Sequence, residues 1–246
     1  MKRAIAALLL AATPVALGAQ ALTPAITAAL ADPARPAAEK ERDAARHAGA
    51  VIAFMGVKPG AKVADFIPGG GYWTHILAPL VGPKGHVYAY SPGESLGSAE
   101  AIAKQKAAVA GYANVTTLGD PLAAVSFPEP LDAIITVQNW HDLHLTRWPA
   151  GTAATAAKRL YAALKPGGVL LVADHVANAD PGFAAPQTLH RIDPAAARAE
   201  IEAAGFRFDG ELAVLRNPDD PRTAGVFDAT IRGKTDQFVY RFRKPK

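Results

Sequence analysis

The sequence predicts a doubly wound α/β fold: a mostly parallel seven-stranded sheet covered by helices on both faces, with an antiparallel strand at the C-terminal end. Three observations predict it. From Lys62 onward, short apolar runs alternate with segments of helical periodicity. One run, "LDAIITV", is apolar almost throughout, which suits the centre of a parallel sheet. The last run, "DQFVYRFRK", alternates Phe238, Tyr240 and Phe242 with Val239, Arg241 and Arg243, a period of two that indicates a strand. No convincing helix separates it from "FRFDGELAVLR", so those two strands are expected to pair antiparallel.

The elements follow in order. Ala44, Ala48, Val51, Ile52 and Met55 recur at helix spacing from Glu41 on, and Gly56 and Pro59-Gly60 stop that helix. "KVADF" is the first strand and "YWTHILAPLV" a helix with Trp73, Ile76, Leu77 and Leu80 on one side. "HVYAY" is the second strand, "AEAIAKQKAAVAGY" the second helix of this alternation and "VTTLG" the third strand. After "LDAIITV", the helix "AATAAKRLYAALKPGG" ends at Pro166-Gly167-Gly168 and "VLLVADH" is the fifth strand. "PAAARAEIEAAGF" is a helix with Asp193 as its cap and Pro194 in its first turn.

Composition bounds the function classes. The chain has 246 residues, half of them hydrophobic, enough for a sizeable core. There is no cysteine, which excludes disulfides, thiolate metal sites and cysteine nucleophiles. Lys2 and Arg3 account for two of the 26 basic residues, against 22 acidic ones, and the rest are dispersed, so no nucleic-acid partner is expected. Residues 1–21 read as a cleavable signal peptide: Lys2 and Arg3, then "AIAALLLAATPVALG", then the small residues of "AQA". An exported, periplasmic protein is expected, with no stable membrane insertion once the signal is removed. Residues 22–40, rich in Ala and Pro, read as a linker or arm, and residues 41–246 as the domain.

In such sheets ligands bind beyond the carboxyl ends of the strands, where strand order reverses. The turn after the first strand, "DFIPGGGYWT", is therefore the expected site. Its glycines are contiguous, unlike a dinucleotide fingerprint, and it lacks the Gly-Lys-Ser/Thr of a phosphate loop.

"VADFIPGGGYWT" resembles the first motif of the class I S-adenosylmethionine-dependent methyltransferases, "LDAIITVQNWHDLH" resembles their fourth, and "LKPGGVLLVADH" the segment around strand five. "IPGGGYWT", "NWHDLH", "LHRID" and "KTDQFVYRFRKP" together resemble a group of leader-bearing bacterial predicted methyltransferases. The resemblance runs from Glu41 to Lys246 and implies a Rossmann-like methyltransferase fold and S-adenosylmethionine as cofactor. By position it implies Asp65, Pro68, Gly69, Gly70, Gly71 and Tyr72 at the cofactor turn, Ser91 or Glu94 toward the ribose, Asp120 toward the adenine, and Gln138 from the fourth motif. Two positions depart from the pattern. Ile67 stands where the first glycine of the motif falls, and the second strand ends in Tyr90-Ser91 rather than an acid.

All seven histidines follow the leader. His141, His144, His175 and His190 fall at or soon after strand carboxyl ends, on the expected site face. Histidine serves as a base near neutral pH, so His141 and His144 are the candidate catalytic residues, with Asp142 to fix a tautomer. Trp140, His175, His190 and Arg191 are candidate contacts of a small-molecule substrate, and Arg191 with Asp193 a candidate local ion pair. His75 and His86 are weaker candidates, with His75 expected to be partly exposed. Two other readings stand beside the methyltransferase: an exported binding or sensing protein on the same fold, and a metal-dependent enzyme. For the latter, His141, His144, His175, His190, Asp142 and Asp193 are the available ligands.

Overall fold

Seven segments with the apolar content of strands lie side by side: Lys62–Phe66 (β1), His86–Tyr90 (β2), Val115–Leu118 (β3), Leu131–Val137 (β4), Leu164–His175 (β5), Arg207–Glu211 (β6) and Gln237–Arg243 (β7). They form one sheet in the order β3-β2-β1-β4-β5-β7-β6. β7 is antiparallel to both of its neighbours, and the pairings among β1 to β5 are parallel. This is the predicted sheet. The computed structural model describes residues 22–96, 98–180 and 182–246, and the predicted leader lies outside them.

The helices are Pro24–Ala31 (α1), Ala37–Lys40 (α2), Ala48–Met55 (α3), Tyr72–Val81 (α4), Gly93–Leu96 (α5), Ala99–Val109 (α6), Thr152–Ala163 (α7), Ala184–Leu189 (α8) and Pro194–Ala203 (α9). Alternating strand residues sort onto two faces. Val63, Val87, Ala133, Ile135, Leu171 and Val239 pack under α1, α3 and α4. Phe66, Tyr90, Ile134, Leu170, Val172 and Phe242 pack under α7 and α9. Strand order reverses between β1 and β4, so their carboxyl ends flank the crevice where such sheets take ligands.

Three local expectations change. Residues 22–40, expected as a linker or arm, contain α1 and α2, and α1 packs on α4. Thr23 caps α1, accepting from Ile26 N at 3.3 Å. The helix expected from Glu41 begins only at Ala48, because His47 adopts a left-handed conformation (φ 46°) and residues 41–47 form turns. There Asp43 accepts from Arg35 Nη2 at 2.7 Å and from the Tyr72 hydroxyl at 2.6 Å. β5 starts at Leu164 rather than after the glycines, with the register broken between the Leu131–Leu164 and Ala133–Val169 pairs.

The long β6–β7 connection is held by a buried ion pair. Arg191 is wholly buried; its Nη1 donates to Asp220 Oδ2 at 2.7 Å and its Nη2 to Asp220 Oδ1 at 3.1 Å. Its Nε donates to Ala224 O at 2.9 Å. The expected pairing with Asp193 is therefore replaced: Asp193 instead caps α9, accepting from Ala195 N at 2.8 Å. Removing one partner of a buried pair leaves the other charge uncompensated. Asp220→Asn is expected to lower stability by about 3–5 kcal/mol, read as a lower urea midpoint with unchanged slope.

Candidate functional site

The turn between β1 and α4 carries three left-handed residues at alternate positions: Ile67 (φ 66°), Gly69 (φ 56°) and Gly71 (φ 90°). Glycine adopts that region freely, whereas a β-branched residue there is an outlier. Ile67 is held in it from both sides. Its N–H donates to Tyr90 O at 2.7 Å, and its carbonyl accepts from Asn139 Nδ2 at 2.9 Å. Gly71 has a packing reason as well, since a Cβ there would lie 2.9 Å from His75 Nε2. A Cβ at Gly69 or Gly70 would meet nothing within 4 Å, so the backbone of the turn faces open space there.

Beneath the turn, Asp65 is 1% exposed and accepts from Thr74 Oγ1 at 2.7 Å. Burial pushes its carboxyl up to about 6, against the lowering effect of its hydrogen bonds from Thr74. Tyr72 caps the region, its hydroxyl donating to Asp43 Oδ1, with Arg46 4.5 Å and Arg42 5.2 Å from its ring centre. His75 is buried rather than partly exposed, bonded through Nδ1 to Glu39 (2.9 Å) and through Nε2 to Ala108 O (2.7 Å). His86 lies at the opposite end of the sheet, at the start of β2, bonded to Thr116 Oγ1 at 2.8 Å.

The end of β2 is built around a buried tyrosine. Tyr90 is fully buried, stacks on Phe66 with ring centres 5.2 Å apart, and donates its hydroxyl to Asp120 O at 2.9 Å. Ser91 Oγ accepts from Gln105 Nε2 at 2.8 Å. Both Glu94 oxygens face Leu122 N, at 3.2 and 3.1 Å. Glu94 thus ties down the Leu122 turn, and the Asp120 carbonyl orders the end of β2. The backbone of the glycine turn is open, while at the end of β2 a buried tyrosine stands where the resemblance implies a ribose-binding acid.

A cavity of about 520 Å³ opens at the carboxyl ends of β4 and β5, walled by Gln138, His175, Trp73, Phe227 and three arginines, Arg42, Arg46 and Arg232. Among the described residues, no acidic one lines it. Gln138 has φ 61° and donates through Nε2 to Gln237 Oε1 at 3.0 Å. His175 Nδ1 and Thr235 Oγ1 share a 2.7 Å hydrogen bond. Burial pushes the His175 pKa down to about 4, so the ring is neutral at physiological pH.

The remaining candidates lie behind this wall. Asp174, at the end of β5, is fully buried and accepts from His141 N (2.8 Å), from His141 Nδ1 (2.7 Å) and from His175 N (2.7 Å). Burial opposes the His141 imidazolium, but Asp174 beside it raises its pKa above the ordinary value. Burial likewise opposes the Asp174 carboxylate, yet His141 holds its pKa below the ordinary range. Asp142 and His190 approach His141 from the open side. His144 is drawn away: its Nε2 pairs with Glu200 Oε2 at 3.2 Å and its ring stacks on Phe183 at 3.9 Å. Trp140 is fully buried and donates to the same Glu200 oxygen at 3.2 Å, so its place is in the core rather than in the cavity wall. Arg191 is equally buried, in its pair with Asp220.

The structure thus gathers Asp65, Gly69, Gly70 and Gly71 at one turn, and His141, Asp142, His175 and His190 at the ends of β4 and β5. It separates His144, Trp140 and Arg191 from the cavity. Sequence reading missed Asp174, Thr74, Asn139 and the three arginines. Asp174 left one signal, an acid at the end of an otherwise apolar strand; Arg42 and Arg46 lie four residues apart, but nothing in the sequence joins them to Arg232.

Asp65 supports a stability test. Its folded pKa, about 6, lies above the ordinary 3.8. The stabilising contribution is therefore complete below pH 3.8 and is lost as pH rises through about 6. Asp65→Asn should match the wild type in stability near pH 3.5 and exceed it by about 2–3 kcal/mol at pH 8, since one pH unit corresponds to about 1.4 kcal/mol. Urea unfolding at the two pH values measures the difference.

No protein-family model matches the chain. Among curated proteins it is 33% identical over 84 residues to a protein-L-isoaspartate O-methyltransferase of Methanothermobacter thermautotrophicus, a stretch covering 34% of this chain and 37% of that protein. It is 29% identical over 137 residues to a protein of the same name from Ignicoccus hospitalis, covering 55% of this chain and 54% of that one. The matched region spans about half or less of these relatives' length. Among solved structures, a SAM-dependent methyltransferase from Aquifex aeolicus aligns with a TM-score of 0.55 at 22% identity, over 79% of this chain and 87% of that one. A possible exported protein from Bordetella parapertussis aligns with a TM-score of 0.51 at 18% identity, over 84% and 68%. The sheet and its helices therefore have the fold of the S-adenosylmethionine-dependent methyltransferases.

Proposed function

We propose that this chain is an exported class I S-adenosylmethionine-dependent methyltransferase whose acceptor is a small molecule bearing negative charge. One observation carries the cofactor reading. Positions 67, 69 and 71 are all left-handed, at the spacing of the three glycines in the motif that the turn resembles, although position 67 is isoleucine. A left-handed L-residue costs roughly 1–2 kcal/mol, and strain of this kind persists where the surroundings enforce it, often at functional sites. The charged form of Asp65 is a second unfavourable feature at the same turn.

S-adenosylmethionine supplies an activated methyl group when bound. The chain's own residues would hold it at the open backbone of Gly69 and Gly70, with Asp65 and Thr74 fixing the turn from beneath. The cavity at the ends of β4 and β5 would take the acceptor. Arg42, Arg46 and Arg232 favour a carboxylate or similar anion, and neutral His175 presents an imidazole to orient it. In methyl transfer such alignment is the larger part of the protein's contribution. The N-terminal sequence, with Lys2 and Arg3 before an apolar run, supports export.

Calorimetric titration of the purified chain with S-adenosylmethionine and S-adenosylhomocysteine tests the reading. One-to-one binding is expected, weakened tenfold or more in Asp65→Ala through loss of the turn's support. Ile67→Gly, which matches the backbone of position 67, should retain binding. No binding of either ligand at millimolar concentration overturns the proposal.

A further inference from the structure

We propose that His141, Asp142 and His190 form a binding site for a divalent transition-metal ion of the zinc and cobalt class, beside the acceptor cavity. His141 Nε2 lies 3.5 Å from Asp142 Oδ1, and His190 Nδ1 lies 3.7 Å from the same oxygen. The three donor atoms all lie within 4.8 Å of one another. These separations are too long for hydrogen bonds. The two distances to Asp142 are close to what an ion requires: bonds of 2.0–2.1 Å in a tetrahedral site place neighbouring ligands about 3.4 Å apart. A shift of a few tenths of an ångström brings the two measured pairs to that spacing.

The support behind His141 is the second observation. Metal-binding histidines as a rule donate their other ring N–H to a carboxylate or carbonyl, which sets the tautomer and aims the free nitrogen. Asp174 is placed to do this, 2.7 Å from His141 Nδ1, so that in the neutral ring Nε2 carries the lone pair, on the side of Asp142 and His190. Asp174 is itself anchored by the N–H groups of His141 and His175. The opposing ligand, His190, follows α8 in a left-handed conformation, φ 53°, with its ring edge-on to that of His141 (centres 5.5 Å apart). The Asp142 and His190 side chains are 28% and 35% exposed, which provides an entry path.

Two imidazoles and one carboxylate select borderline transition ions over magnesium or calcium, which take oxygen ligands. Three protein ligands leave a coordination position for water or for an anionic group. The cluster adjoins the cavity on two sides: His175, in the wall, has its ring 6.0 Å from that of His141, and Phe227, also in the wall, has its ring 5.0 Å from that of His190. The other histidines and the acid that the sequence offered as ligands are committed elsewhere, His144 to Glu200, His175 to Thr235 and Asp193 to the start of α9. The ion site rests on this geometry alone and stands whether or not the glycine turn binds a cofactor.

The test is titration of the full chain, without a histidine tag, with Co²⁺ and Zn²⁺. The readouts are calorimetry and the visible absorption of bound cobalt. One ion per chain is expected, with cobalt bands of a four- or five-coordinate site. His190→Asn, which suits the left-handed backbone, and Asp142→Asn should each weaken binding at least tenfold. His86→Gln, at the far end of the sheet, should leave it unchanged. Asp174→Asn should weaken binding ten- to a hundredfold and alter the cobalt spectrum without removing a ligand. Absence of one-to-one binding in the wild type, or equal affinity in His190→Asn and Asp142→Asn, overturns the proposal.

Discussion

The carboxylate of Asp174 is the constraint on which the site face depends. It has no exposed surface, and an isolated buried carboxylate is strongly disfavoured. Its cost is offset by three donors, His141 N, His141 Nδ1 and His175 N. Two of these come from the turn after β4 and one from the end of its own strand, so the carboxylate fixes β4's turn against β5. Through it the His141 tautomer and the direction of the free ring nitrogen follow. The same bond network leads to the neighbouring His175, whose burial keeps it neutral in the cavity wall.

The glycine turn shows the opposite economy. There the structure retains two locally unfavourable features, a left-handed isoleucine and a buried carboxyl whose charged form is disfavoured. Ile67 is enforced by Tyr90 O on one side and Asn139 on the other, and Asn139 also donates to Val137 O at 2.8 Å. The turns after β1 and β4 are thus linked across the crevice. Departures from local preference that the surroundings enforce tend to mark functional sites, and here they coincide with the position expected for a ligand in a doubly wound sheet.

The N-terminal segment and the β6–β7 connection complete the cavity from outside the sheet. Asp43 draws Arg35 and Tyr72 together, with Arg42 and Arg46 over the Tyr72 ring. Arg191 and Asp220 pin the β6–β7 connection, which brings Phe227 and Arg232 to the opposite wall. Two ion pairs in loops, one of them wholly buried, therefore decide which cations face the cavity.

The sequence by itself determined the sheet and the position of its glycine turn. Strands such as "KVADF", "HVYAY" and "LDAIITV" and the helix "YWTHILAPLV" match the observed elements residue for residue, because apolar periodicity and glycine punctuation are local properties. The capping of α9 by Asp193 was legible for the same reason. Only the tertiary structure decided which of the chemistry-bearing residues meet. His141 and His144 are three residues apart, yet one turns to Asp174 and the other to Glu200, each acid distant in the chain. Trp140 and Arg191 carried functional residue types but lie in the core, where Glu200 and Asp220 satisfy their polar atoms. Arg232 joins Arg42 and Arg46 in one cavity, a meeting that no spacing announces. Contacts across such separations depend on how strands stack and loops return, and a linear pattern of hydrophobicity carries no record of that.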